Sequence, residues 1–287
     1  MKFLITGAGG QLGREWVERL KASSHEVAGF GSDTLDITDR ESVAEVLSKE
    51  QPDVVINCAA YTAVDDAEDN EEIAFQVNRD GAANVANTCR NHGIKLVHFS
   101  TDYVFEGSER DKQKFQAGYP EDHPANPQNV YGASKWAGEE EVKRIGGDWL
   151  ILRVSWLSGE FGNNFIKTML RFSKDRDELQ VVDDQIGCPT FCSDVVEKTM
   201  KLVDMDQNGY FHISSAGAIT WYELTEEILR QTERSERVTL KPVSSAQFAS
   251  KASRPSFSLL NCSKLKEAGL EQLNWKDGLR ELINKIN

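Results

Sequence analysis

Tyr131 and Lys135 stand four residues apart in VYGASKWAGEEE (130–141), where helix-forming residues follow a proline-containing loop. At that spacing two side chains share a helical face, so a phenol and an ammonium meet. A phenol can give up a proton, and a nearby cation makes it readier to do so. Many helices carry such a pair with no chemistry attached, and the pair gains meaning only from its surroundings. Upstream, the apolar run KLVHFS (95–100) leads into Thr101-Asp102-Tyr103-Val104-Phe105, which puts another hydroxyl at the carboxyl edge of a strand. Taken alone, Thr101 reads as a side-chain cap at a strand end. Beside Tyr131 and Lys135 it completes a hydroxyl, phenol and ammonium trio.

The N-terminal residues offer such a trio a reaction partner. KFLIT (2–6) is a short apolar strand, followed by Gly7-Ala8-Gly9-Gly10-Gln11-Leu12-Gly13 and the amphipathic stretch EWVERL. Strand, glycine turn and helix in that order form a dinucleotide-binding fingerprint, here with glycines at 7, 10 and 13. Gly7 allows the tight turn, Gly10 lets the backbone approach a pyrophosphate, and Gly13 lets helix and sheet pack closely. The helix N-terminus, at Gln11 and Leu12, faces the phosphates. The second strand (26–30) runs out at Gly31-Ser32, where a fold selective for NAD is expected to carry Asp or Glu. Without that acid a 2′-phosphate is not repelled, yet no arginine follows immediately to bind one, so the sequence leans only slightly to NADPH over NADH. Asp36 and Ile37 are placed to border the adenine, Ala59, Ala60, Tyr61 and Thr62 to border the cofactor's middle, and Phe99 to close the fourth strand beside it.

The elements that must position these residues alternate. Strands at 2–6, 26–30, 53–57, 95–100 and 149–154 are separated by helices, with Asp39 the N-cap of the second and a long helix over 71–91. Apolar runs such as DVVIN suit strands covered on both faces. The pattern predicts an α/β, Rossmann-type doubly wound parallel sheet. After residue 155 the rhythm loosens into helices at 163–174, 193–204 and 222–231, strands at LQVV and GYFHIS, and a closing helix from Asn274. The expected division is 1–155 for NAD(P) binding and 156–287 mainly for substrate, a smaller C-terminal domain with segments returning to the main sheet.

Composition narrows the partners. The 287 residues are 39% hydrophobic, enough for a sizeable core, and the formal net charge is −13. Acidic runs such as EDNEE argue against nucleic acid, which needs a clustered basic face. The opening apolar run is too short for a signal sequence or a membrane span, so the chain reads as cytoplasmic. Cys58, Cys89, Cys188, Cys192 and Cys262 are odd in number and scattered, which suits packing thiols rather than disulfides or zinc.

GxxGxxG, STDYVF and Y-G-x-x-K resemble the extended short-chain dehydrogenase/reductases. GGQLG, GNNF (162–165), DQxGxPT (184–190) and SRPxxSxLN (253–261) further resemble the dTDP-4-dehydrorhamnose reductase family, almost end to end. The resemblance implies NAD(P)H-dependent reduction of the C4 ketone of a dTDP-6-deoxy-4-hexulose to dTDP-L-rhamnose, the last step of that sugar's synthesis. Hydride arriving at a carbonyl leaves an alkoxide that an acid must protonate. Tyr131 is then that acid, Thr101 a donor to the ketone oxygen, and Lys135 the group that lowers the phenol's pKa and holds the nicotinamide ribose. A lysine ~4 Å away at an effective dielectric of about 20 supplies up to ~4 kcal/mol for this. The resemblance also implies substrate contacts from Thr101, Asp102, Trp156, Asn164 and Arg254.

Some relatives hold Mg2+ at a dimer interface through three acids. Glu15 matches the first, but Cys192-Ser193 stands where the second is sought, which argues against a metal and for a monomer or weak homodimer. Phe257 replaces a small polar residue of the family pattern. Two other readings stay open: a nucleotide-sugar epimerase or dehydratase of the same fold, and a non-catalytic regulatory subunit.

Overall fold

The computed structural model describes residues 1–248 and 250–286. Five strands follow the sequence reading closely: β1 (Lys2–Thr6), β2 (Glu26–Phe30), β3 (Val54–Asn57), β4 (Lys95–Thr101) and β5 (Trp149–Val154). A sixth, β6 (Gly209–Ile213), comes from the C-terminal half, and the sheet order is β6-β5-β4-β3-β1-β2. Every neighbouring pair is parallel. β3 and β4 are buried along their whole length, as strands covered on both faces must be.

Alternate strand residues serve opposite faces. Phe3, Ile5, Val54, Ile56, Val97, Phe99, Leu150 and Leu152 pack with Trp16 and Leu20 of α1 (Gln11–Lys21) and with Val195, Val196 and Leu202 of the helix Cys192–Asp204. Leu4, Val55, Leu96 and Ile151 face the other way, onto α2 (Arg40–Glu50), α3 (Ala82–His92) and α4 (Val130–Ile145). Each such aliphatic side chain contributes about 2 kcal/mol by burial. Asp39 caps α2, its carboxylate accepting from the backbone N–H groups of Glu41 and Ser42.

The expected helix over 71–91 is three pieces. A short helix Glu71–Phe75 runs into a π-helical turn, Gln76–Gly81, before α3 begins. A third cluster, around Phe191, Leu224, Ile228, Trp275 and Leu279, forms the core of the C-terminal half. There the strand Glu178–Val182 pairs in parallel with Thr239–Val243, and the helices Phe165–Asp175, Trp221–Gln231 and Trp275–Ile286 surround it. Phe257, the departure from the family pattern, is buried in this core against the ring of Tyr119.

Candidate active site

The start of α4 is fixed by Asn129. Its side-chain oxygen accepts from Gly132 N at 2.7 Å and its amide donates to Ser253 O at 2.7 Å, so the first helical turn is tied to the C-terminal half. Tyr131 lies in that turn, half-buried, with its ring edge-to-face against Tyr103 at 5.6 Å between centroids. One turn on, Lys135 is 3% exposed and its ammonium donates to Phe99 O at 2.6 Å. Thr101, at the end of β4, donates to Asp102 Oδ1 at 3.0 Å and accepts from Tyr103 N at 3.2 Å. The hydroxyl, phenol and ammonium thus converge at the carboxyl edge of β4, where open α/β sheets bind ligands.

Burial governs the electrostatics here. It pushes the Tyr131 phenol up to about 12, against a hydrogen bond from Thr101 that favours the phenolate and with the Asp102 charge adding to the rise. Burial also lowers Lys135 to about 8, with Glu139 and Cys58 opposing. The expected depression of the phenol by Lys135 is not found, because burial of Tyr131 outweighs the influences that favour the phenolate. Asp102, 3% exposed, is raised to about 6 by burial, with hydrogen bonds from Ser258 and Thr101 opposing. At neutral pH the phenol therefore carries its proton, the state a donor needs.

On the cofactor side, Gly7 has φ +62°, and a Cβ there would come within 2.6 Å of Ala59 N. Gly13 sits against the carbonyl of Gly7, again with no room for a side chain. Gly10 donates to Gly7 O at 3.0 Å and opens α1 with no side-chain cap, so the first amide N–H groups of α1 have no side-chain acceptor. Uncapped donors beside a glycine turn suit a pyrophosphate. Leu12 points into the core, while the Gln11 side chain donates to Leu157 O and accepts from Asn164. Ala59, Ala60 and Tyr61 are half-buried after β3 and Thr62 is exposed.

Ile37 is 4% exposed and packs against Gly81, whereas Asp36 is exposed and accepts from Thr38. Ile37 is thus a core residue. Two residues missed in the sequence join this edge. Asn78, in the π-helical turn, accepts from Tyr61 N and donates to Tyr61 O and to Ser134 of α4, locking the two walls together. The Asp33 carboxylate lies 2.6 Å from where a Cβ on Gly31 would stand, so an acid does reach the end of β2.

A cavity of about 580 Å³ adjoins Tyr103 and is lined by Asp65, Phe165, Met169, Gln185, Trp221 and Arg254, among others. Arg254 holds Asp65 bidentately, at 3.0 and 2.7 Å, and keeps that carboxyl at about 2. Trp156 has φ +46°, a strained value for a non-glycine residue, and its indole stacks on Trp221 at 3.4 Å and 10°. Gly187 leaves space for that indole, which explains the glycine of DQIGCPT. Asn164 caps the helix Phe165–Asp175 and donates to Gln11 and Gly159, so its polar groups serve the protein's own backbone and the glycine turn.

Among the described residues no three His, Cys, Asp or Glu side chains are arranged to hold a metal ion. Glu15 instead shares a surface recess with Glu160, Cys192, Ser193, Glu281 and Lys285. No described helix is long and apolar enough to cross a membrane.

A parallel dinucleotide fold with Thr101, Tyr131 and Lys135 at the carboxyl edge of β4 is an extended short-chain dehydrogenase/reductase. Residues 1–287 match the RmlD substrate binding domain model, and the chain belongs to that family. It is similar to the crystal structure of a dTDP-4-dehydrorhamnose reductase from Bacillus anthracis in complex with NADP. The TM-score is 0.94, with 39% identity and 99% of each chain covered. A dTDP-4-dehydrorhamnose reductase of Streptomyces griseus is 39% identical over 98% of this chain and 92% of its own length. A dTDP-4-keto-6-deoxy-D-glucose reductase of Streptomyces niveus is 38% identical over 100% of this chain and 98% of its own.

Proposed function

We propose that the protein reduces the C4 ketone of dTDP-4-dehydro-6-deoxy-L-mannose to dTDP-L-rhamnose with NADPH or NADH. The observation that carries this is the convergence of Thr101, Tyr131 and Lys135 above the glycine turn, in a chain that matches its reductase relatives over almost its full length. The nicotinamide cofactor supplies hydride when bound. Thr101 orients the ketone oxygen, and Tyr131, protonated at neutral pH, delivers the proton that the new alkoxide takes up. Lys135, a cation below about pH 8, holds the ribose and stabilises the phenolate left behind.

Residues 1–155 carry the cofactor and 156–287 most of the sugar nucleotide. The cavity at Tyr103 takes the nucleotide, with Arg254 on the diphosphate in exchange for part of its grip on Asp65, and Asp102 and Trp156 on the hexose. Asn164 acts at one remove, through Gln11. The S. niveus relative's name favours a second substrate of the same class, a dTDP-4-keto-6-deoxy sugar of different configuration.

The test is oxidation of NADPH, with NADH in parallel, on dTDP-4-keto-L-rhamnose generated in situ, for wild type and Tyr131→Phe. Phenylalanine keeps the edge-to-face packing on Tyr103, so cofactor affinity should hold while kcat falls about 10²–10⁴-fold. Full activity in the variant would remove Tyr131 from the mechanism. Wild type that binds cofactor but turns over only the D-glucose-configured ketone would replace the rhamnose reading.

A further inference from the structure

Glu139 is fully buried, one turn beyond Lys135 on the same face of α4, and nothing in the reaction outlined above uses it. Its carboxylate accepts from Arg153 Nε at 3.0 Å and from Nη2 at 2.6 Å. Arg153, on β5, is itself 4% exposed, donates to Glu121 O at 3.1 Å and lies over the rings of Phe105 and Tyr210. In the sheet, Phe99 pairs with Leu152 and Ser100 with Arg153. Helix α4 is therefore pinned at consecutive turns to neighbouring strands, by Lys135 on Phe99 O and by Glu139 on Arg153.

We infer that Glu139 is a positioning residue of the reaction: clamped by Arg153, it fixes the register of α4 on the sheet and supplies the negative charge that keeps Lys135 an ammonium. The other titratable groups facing Lys135 are Tyr131, a neutral phenol one turn back on α4, Cys58, beyond β3, and His98, on β4. Burial raises the thiol and lowers the imidazole, so both stay neutral and neither offers an anion. Facing Glu139 itself are Arg153, Tyr210 and Lys135. A buried Arg–Glu pair is not needed for stability as such, since two apolar residues of like volume do as well or better. What apolar residues would not supply is the charge one turn from Lys135.

The inference rests on the reductase reading, and its test includes a measurement that does not. In the ligand-free protein, competitive acetylation followed by peptide mass spectrometry reads the titration of Lys135 directly. Glu139→Gln keeps one acceptor for Arg153 and should move the Lys135 midpoint down by about one pH unit. The alkaline limb of kcat should move with it, and KM for NADPH should rise several-fold. Should E139Q fail to fold, the paired variant E139L/R153M keeps the volume without an unpaired charge and should move the midpoint in the same direction by a smaller amount, because Arg153 and its opposing charge leave with Glu139. An unmoved Lys135 midpoint in either folded variant overturns the inference, even if activity drops. If wild type shows no turnover the reductase reading fails, while the acetylation result still decides the role of Glu139.

Discussion

Lys135→Met should make the ligand-free protein more stable while removing its activity. The lysine is 3% exposed, and burial brings it from 10.5 to about 8. Each pH unit of that drop is about 1.4 kcal/mol, so holding the ammonium in this site costs about 3 kcal/mol at neutral pH. Methionine fills similar volume without charge. It forfeits the hydrogen bond to Phe99 O, worth ~1 kcal/mol, which leaves a net gain of about 2 kcal/mol. Because the folded pKa lies below the unfolded one, the unfolded wild type binds more protons between about pH 8 and 10.5, and wild-type stability rises across that window. The variant's advantage is then full below pH 8 and gone above 10.5. Urea unfolding of both proteins at pH 7 and pH 9.5, with m-values compared, measures this. A less stable variant at pH 7, or the same gap at both values, would refute the reasoning.

Asp102→Asn should also stabilise the protein at pH 7. The folded acid sits at about 6 against an ordinary 3.8, so the penalty is present above about pH 6 and vanishes as pH falls to 4. Thermal unfolding at pH 7 and pH 4 reads the difference, and equal effects at both would count against it. Asp33→Ala should lower KM for NADPH relative to NADH by about tenfold, since it removes a carboxylate from the end of β2. An unchanged ratio of kcat/KM for the two cofactors would place Asp33 away from the ribose.

Much of the fold is legible because periodicity and turn chemistry are local. The strand DVVIN, the glycine turn and the Asp39 cap all lie within a few residues of their own causes. The trio was legible too, since Tyr131 and Lys135 share one helix and Thr101 ends one strand. Residues that act across the chain left weaker traces. Asn78 looked like any polar helix residue, because nothing local marks the π-helical turn that aims it at Tyr61 and Ser134. Asp33 lies one residue beyond Gly31-Ser32, where an acid is expected. Arg153 was visible as a charge within the apolar WLILRV, but its partner Glu139 is 14 positions away. The direction of the Tyr131 shift depends on burial, which spacing cannot report.

Strand β6 has a consequence for how the chain is made. It is contributed by residues 209–213, yet it hydrogen-bonds to β5, which ends at residue 154. A nascent chain that has released only its first 160 or so residues would hold β5 with a bare, apolar edge, the kind that invites pairing with another chain. During synthesis at about 5–20 residues per second, that edge stays open for several seconds before Gly209–Ile213 emerges to cover it. Truncation anywhere between the two strands would therefore yield a sticky fragment rather than a free-standing nucleotide-binding unit, and full-length yield should depend on chaperones that shield the edge during that interval.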